Sequence, residues 1–572
     1  MWTKRKIAKI ILGGISIGLL ANQFFNVSRL KIDNLTNRFL QYKGTNQEPN
    51  KVVVKDISLE LPTTDIYLEA DPIKRDSVKG AFQHAWSAYE RDAFGFDEYH
   101  PISRTGSNLS RSKGIGYTII DSLDTIQLMG LTEEYRRARE WIKSELTFEV
   151  DDKFNTFETT IRVLGGLLSS YYLSSNPFNQ NIALHEPDAL FLDLAADLGE
   201  RLLSSFSTNS GLPLSYVNLK ERLGIPDKDN GGFISTAEAA SLQIEFKWLA
   251  ELLEDPVYWT KSERVLQIIK DSPKMDGLTP IFIDPRVNQF YFSQIRLGSR
   301  ADSYYEYLLK QYLQTGKSEH VYKEMYDEAC KGIKRHLVKI SQGPKKLIHT
   351  IELAPSRRDN RPEYRPYNKQ DHLVCFLPGL LMLGVHQGKD ELDQKKMTIQ
   401  EHENWWVGTE LLKTCYDTYN STESGLSPEI IHFHPIGDPL SLKEDWFIKR
   451  SENSKVDLLD GRYILRPETV ESIFIAFRLT GDAKYREWGW QIFQSIEKHA
   501  KIQTGGYASI KDVDQLPVVY EDKMETFLLS ETFKYLYLLF EDSTIAPLDK
   551  VVFNTEAHLF PIFEPSFKSN LI

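Results

Sequence analysis

Beyond residue 70, apolar side chains recur mostly at i, i+3, i+4 and i+7, the spacing of one face of a helix. The pattern predicts helices over 78–94, 133–146, 156–173, 188–206, 235–253 and 301–313. It predicts more over 321–340, 371–383, 404–419, 467–479, 483–499 and 523–540. Pro467 suits a first helical turn, and Gly316 and Gly481-Asp482 are stop signals. Short strands are expected in loops, for example at 280–285, and at the C-terminal end, 550–554. No β-runs alternate with helices, which argues against a parallel α/β sheet. No exact repeat of 34 or 40 residues appears, which disfavours a solenoid. Paired helices of similar length could close into an α/α toroid, although periodicity does not show closure.

The first 25 residues differ. Lys4, Arg5, Lys6 and Lys9 precede or enter an apolar run, 7–25, that would span about 28 Å as a helix. Fewer cations follow, so the positive-inside rule puts residues 1–6 in the cytosol and the remainder in the lumen, a single-pass type II topology. A cleaved signal peptide is the competing reading; no clean small-x-small cleavage site follows the run, although Ala21 keeps that option open. Residues 26–70 are polar, without a sustained period, and read as a stem. Sequons at Asn34, Asn108 and Asn420 fit a luminal body, 71–572.

Composition narrows the function. Of 572 residues, 41% are hydrophobic and 26% charged, which is globular. The net charge of −11 argues against a nucleic-acid partner, because phosphate backbones need a basic face. Cys330, Cys375 and Cys415 allow one bridge and one free thiol in an oxidising compartment. There is no CxxC pair, HExxH, EF-hand loop, Walker loop or GxSxG. A calcium bound mainly through backbone and hydroxyl oxygens would leave little trace in a sequence.

The carboxylates are more informative, because several stand in apolar company. Glu158 lies one turn before Arg162, and Asp302 and Glu306 share a helix face among tyrosines. Glu468 and Glu471 follow Arg466; Glu525 and Glu531 lie in METFLLSETFKYLYLLF, and Glu556 in FNTEAHLF. Taken singly, each is most simply a salt-bridged or solvent-facing helix residue, and Glu306 and Glu471 could pair internally with a Lys or Arg. Taken together, they suggest a buried acidic site held by arginines, a metal or a polyhydroxyl ligand. Carboxyls whose surroundings push their pKa values apart are what glycoside hydrolysis requires.

These segments resemble the class I α-1,2-mannosidases of glycoside hydrolase family 47. The matching stretches include IIDSLDTIQLMGL (119–131), FETTIRVLGGLL (157–168), SLQIEF (241–246) and GSRADSYYEYLLKQYL (298–313). HLVCFLPG (372–379), GLSPE (425–429), LRPETVES (465–472), METFLLSETFKYLYLLF (524–540) and VFNTEAH (552–558) follow in order. The resemblance runs from about Ala81 to Pro561. Ser122 and Leu559 depart from the family's usual Ala and Pro.

The resemblance implies an all-α fold: an (αα)7 barrel with small β elements and a C-terminal hairpin in its bore. It implies a calcium-dependent, inverting exo-mannosidase acting on high-mannose N-glycans of glycoproteins. Glu468 matches the general base, Glu158 the general acid and Asp302 a third catalytic carboxylate; which of the last two delivers the proton is left open. Thr555 matches the calcium ligand. Arg162, Glu306, Glu429, Arg466, Glu471, Phe527, Glu531 and Glu556 match positions that line the sugar pocket or hold calcium-bound waters. Cys375 and Cys415 match the family disulfide. Arg300 is the residue type of the endoplasmic-reticulum branch, which removes one mannose from the nine-mannose glycan, where the Golgi branch carries leucine. A weakly catalytic, glycan-binding factor that marks misfolded glycoproteins is the alternative from the same family.

Overall fold

The computed structural model describes residues 68–569 and 571, apart from 176–177, 179–186, 388–395, 436 and 451–458. The anchor, nearly all of the stem and the Asn34 sequon therefore lie outside the described residues. Among those described, no helix is long and apolar enough to cross a membrane.

Two kinds of helix alternate along the chain. One kind has a buried stripe and a wet face: α1 (Pro72–Asp92), α3 (Thr132–Glu145), α5 (Ala189–Leu203), α7 (Pro256–Asp271), α9 (His320–Gly332), α11 (Ile399–Asn420) and α13 (Ala483–His499). In α3 only Tyr135, Ala138 and Ile142 are buried. The other kind is buried almost all round: α2 (Tyr117–Leu128), α4 (Gly165–Ser174), α6 (Gln243–Leu253), α8 (Asp302–Gln314), α10 (Leu377–His386), α12 (Glu468–Thr480) and α14 (Phe533–Phe540). Every residue of α2 and of α14 is buried. Consecutive inner helices pack on one another, and the wide π turn Leu528–Thr532 leading into α14 packs on α2, which closes the ring. The outer helices wrap it, and α1 lies against α14. The molecule is thus an α-barrel, and all its strand pairs are antiparallel.

Local chemistry sets the ends. Asp71, Asp188, Asp255, Thr398 and Asp482 cap α1, α5, α7, α11 and α13 with their side chains. The inner helices α8 and α12 have no side-chain cap; Asp302 and Glu468 are their first residues. A helix N-terminus favours negative charge, so these positions suit carboxylates. Gly165 and Gly166 permit close approach. A Cβ on Gly166 would stand 2.5 Å from the Ile120 carbonyl of α2, and one on Gly165 2.9 Å from Asn554 and His558.

Several expected helices are interrupted. The 156–173 segment is a helical turn, Thr156–Glu158, then a π stretch, Thr159–Leu164, then α4. The 235–253 segment breaks at Ser241-Leu242, between Thr236–Ala240 and α6. The 321–340 segment leaves α9 for a π turn and a strand, Val338–Ile340. The 371–383 segment opens with a 3-10 turn, His372–Phe376, and the 523–540 segment is helical only from Leu528. The expected strands are found at Phe282–Asp284 and Val551–Phe553. Cys375 and Cys415 form a disulfide joining that 3-10 turn to α11, and Cys330 is buried and free.

The bore is plugged from one end by a hairpin, β3 (Val551–Phe553) and β4 (Leu559–Pro561), whose tip is 554–558. Asn554 organises the tip: its Oδ1 accepts the N–H groups of Glu556 (2.9 Å) and His558 (2.8 Å). Its Nδ2 donates to the Ile161 carbonyl within the π stretch (2.8 Å) and to Glu245 of α6 (2.7 Å). His558 sits between Asp121 (3.1 Å) and Asp124 (3.0 Å) of α2, and Lys534 of α14 reaches Asp124 (2.8 Å) and the Ala557 carbonyl (2.7 Å). All four charged groups are buried. Burial alone would neutralise His558, but the two carboxylates outweigh it and raise its pKa. Removing one member strands a buried charge. Lys534→Met is therefore expected to lower the unfolding free energy by about 3–5 kcal/mol, measured by chemical denaturation.

Candidate active site

The plug leaves an open cavity of about 320 Å³ at the other end of the bore, where the inner helices begin. Eight acids line it: Glu158, Glu238, Asp302, Glu306, Glu468, Glu471, Glu531 and Glu556. Only three arginines do: Arg162, Arg300 and Arg466. Phe527 and the tip residue Thr555 complete the wall named from sequence. Glu429 stands behind: it does not line the cavity, but holds Arg466 with bonds of 2.5–2.8 Å. A second hollow of about 400 Å³ adjoins across Glu158, Arg162 and Phe527.

The cations are shared. Arg162 bonds Glu158 (2.9 Å) and Glu556 (2.5 Å), and Phe527 lies under both Arg162 and Arg466 at 5.8 Å. Lys310, one turn along α8, pairs with Glu306 and reaches Glu471 (3.4 Å), so those two acids do have the internal Lys partner that the simplest reading allowed. Three cavity arginines and one lysine do not balance eight acids. Burial, with Glu306 and Glu468 nearby, leaves Glu471 raised to about 8 although Lys310 opposes it. Burial and the crowding of Asp121 and Glu158 push Glu556 to about 8 against Arg162, and Glu531 is raised well above the usual range.

Two carboxylates diverge in the direction that acid–base catalysis uses. Asp302 is pushed up to about 7 by burial, with Glu306 and Glu468 adding to it. Glu468 is equally buried, yet its pKa is lowered, because His372 and Arg466 outweigh desolvation. His372 Nδ1 lies 2.7 Å from Glu468 Oε2. An ionised carboxylate only accepts, so Nδ1 carries the proton; Nε2 lies 3.0 Å from the Tyr419 hydroxyl and 3.1 Å from that of Thr469. Glu158 is more open, with its side chain 39% exposed.

Two wall or support residues escape sequence reasoning. His372 lies at the start of the predicted 371–383 helix, in HLVCFLPG, where no metal-type spacing marks it. Glu238 lines the cavity and is raised to about 7, mainly by burial, against the pull of Arg300. It lies on the five-residue helix Thr236–Ala240, which the break at Ser241-Leu242 separates from the rest of the predicted 235–253 helix. Arg300 itself has a left-handed backbone (φ 76°), and its guanidinium lies 5.1 Å from the Phe282 ring.

A closed α-barrel whose bore ends in a pocket of crowded carboxylates, with pKa values pushed apart by burial and by neighbouring cations, suits a glycoside hydrolase. The chain belongs to glycosyl hydrolase family 47, whose profile matches residues 81–562. It is 44% identical over 507 residues to a mannosyl-oligosaccharide 1,2-alpha-mannosidase of Arabidopsis thaliana, covering 86% of this chain and 79% of that one. It is 42% identical over 497 residues to the endoplasmic reticulum mannosyl-oligosaccharide 1,2-alpha-mannosidase of Homo sapiens, covering 86% of this chain and 64% of that one. Its structure matches the alpha-1,2-mannosidase of Trichoderma reesei with a TM-score of 0.74 at 28% identity, covering 86% of this chain and all of that one.

The pairing of His372 with Glu468 has a measurable consequence. Removing the imidazole leaves burial opposed only by Arg466 and the Glu468 backbone N–H, so the Glu468 pKa rises. His372→Phe is expected to move the acidic limb of the kcat/KM–pH profile upward by about one unit, with the alkaline limb fixed.

Proposed function

We propose that the chain is a calcium-dependent, inverting exo-α-1,2-mannosidase that trims terminal mannose from high-mannose N-glycans. One arrangement carries the chemistry: a single cavity of a family 47 barrel holds Asp302, whose pKa burial pushes up to about 7, and Glu468, whose pKa His372 and Arg466 lower. Glu468 is the general base. It removes a proton from a water as the water oxygen attacks the anomeric carbon. Asp302 or Glu158 is the general acid and protonates the glycosidic oxygen, directly or through a second water, as the C–O bond breaks. Attack opposite the leaving group inverts the anomeric centre. The raised pKa of Asp302 favours it as the proton donor near neutrality. His372 and Arg466 orient Glu468, and Glu429 orients Arg466. Arg162 and Phe527 complete the wall beside the sugar.

The surplus of oxygen ligands over cations suits a hard divalent ion. Thr555 at the hairpin tip would hold calcium through its carbonyl and hydroxyl oxygens, with Glu306, Glu471, Glu531 and Glu556 around its waters. When bound, calcium supplies a site for two sugar hydroxyls and neutralises the acids. Arg300 supports the branch that removes one mannose from the nine-mannose glycan. The name of the human relative supports residence in the endoplasmic reticulum, with residues 7–25 as a type II anchor, 26–70 as a stem and the barrel in the lumen.

The test follows product mass and branch position on the nine-mannose N-glycan. Loss of one mannose, abolished by a chelator and restored by calcium, is expected. Glu468→Gln is expected to reduce kcat by at least about 10³-fold while glycan binding persists. Turnover unchanged in Glu468→Gln, or none by the wild type despite binding, would overturn the reading in favour of a glycan-binding factor.

A further inference from the structure

A hairpin tied to the segments that lead into the site is not used by hydrolysis. Strands β1 (Glu352–Arg358) and β2 (Arg361–Tyr367) pair from Glu352↔Tyr367 to Arg358↔Arg361. Asp359 and Asn360, both left-handed, close a tight two-residue turn. Six residue steps put the tip about 20 Å from the base. The base is fixed to the site. Leu353 and Ile295 exchange backbone bonds of 2.8 and 3.0 Å, and the Tyr364 hydroxyl donates to the Ser293 carbonyl (3.0 Å). The chain from Ser293 leads directly to Arg300 and Asp302. On the other side, Glu352 pairs with Lys369 (3.1 Å), three residues before His372. The hairpin is therefore tied to the segments that carry Asp302 and His372.

Its outer half is cationic. Arg357, Arg358, Arg361 and Arg365 are exposed, against Asp359 and Glu363. Arg365 pairs with Glu363 (2.9 Å), and among the described residues Arg357, Arg358 and Arg361 form no ion pair. On a chain of net charge −11, three arginines without an ion pair thus stand together at the end of one hairpin. They add little stability. They do offer planar forks that match carboxylates.

Position selects the partner. The chain enters the barrel at the other end, where Leu68 exchanges hydrogen bonds with Ser543 and the Asp71 N–H donates to the last residue of α14. A surface attached through the preceding residues would face that end. The mouth, with its arm, faces whatever carries the glycan. We infer that β1–β2 is a docking arm for acidic polypeptide on the glycoprotein substrate, so that clients with carboxylates near the glycan are trimmed faster. This rests on the glycan-trimming reading above.

The experiment uses the full chain and the variant Arg357→Ser/Arg358→Ser/Arg361→Ser. Three substrates carry the same nine-mannose glycan: the free glycan, an acidic glycopeptide with Asp and Glu flanking the sugar, and a basic one with Lys. At low salt the wild type is expected to show kcat/KM about five-fold higher on the acidic than on the basic glycopeptide, a ratio that falls as salt screens the charges. The triple variant should abolish the ratio and leave the free glycan unchanged. Equal wild-type rates on both glycopeptides overturn the inference. A loss that extends equally to the free glycan also overturns it, and makes the arm a glycan contact. Binding of the wild type to phosphatidylserine vesicles through these arginines, without glycopeptide discrimination, overturns it in favour of a lipid surface. If the free glycan is not turned over at all, the trimming reading fails by itself. Fluorescence anisotropy with the glycan-free acidic peptide then decides the arm, which requires wild-type binding at least about three-fold tighter than the variant's.

Discussion

The barrel is organised around one expensive act, the burial of a polar turn on its axis. Residues 554–558 bring backbone groups, an amide, an imidazole and a carboxylate to the middle of the bore. None of these is stable there without a partner. The inner helices supply the partners: Asp121 and Asp124 from α2, Glu245 from α6, Lys310 from α8 and Lys534 from α14. The π stretch before α4 offers the Ile161 carbonyl. Helices of a hydrophobic ring carry these residues because the plug requires them. The plug in turn fixes Thr555 and Glu556 as part of the cavity lining.

From that follows the electrostatics of the site. A floor built from Glu556 and a wall built from helix N-termini concentrate acids that the available arginines and lysine do not neutralise. The excess separates the carboxyls. Those facing each other hold protons or call for a cation, while Glu468, given His372 and Arg466, stays charged. Asp302 and Glu468 are thus distinguished by their neighbours and not by their place in the fold, since both are buried carboxyls on the first turn of an inner helix.

This layout explains what was readable in the chain. The amphipathic outer helices announce themselves because one face meets water. α2 does not: YTIIDSLDTIQL is buried on every side, so it has no polar stripe, and its Asp121 and Asp124 interrupt any apolar period. α7 escaped for another reason. Asp255-Pro256 stands two residues after α6 and looks like a break, whereas it is a cap and first turn. The acids of the site could be picked out because charge in apolar sequence is unusual, and their order along the chain matched a family. His372 and Glu238 could not, because a histidine positioned by Tyr419 and Thr469 and a glutamate on a single helical turn depend on contacts between distant segments. The long hairpin β1–β2, rich in Arg and Pro, gave no alternating apolar pattern, because it packs on little besides its own partner strand.

The order in which the parts become available has a consequence for biosynthesis. The plug, 551–561, follows all fourteen barrel helices in the chain. Thr555 and Glu556 therefore reach the bore only after the ring that receives them has been made. Until then the tube lacks its floor, and Asp121, Asp124 and Glu245 lack His558 and Asn554. The floor of the site is thus the last part of it to be synthesised, long after the sequon at Asn108.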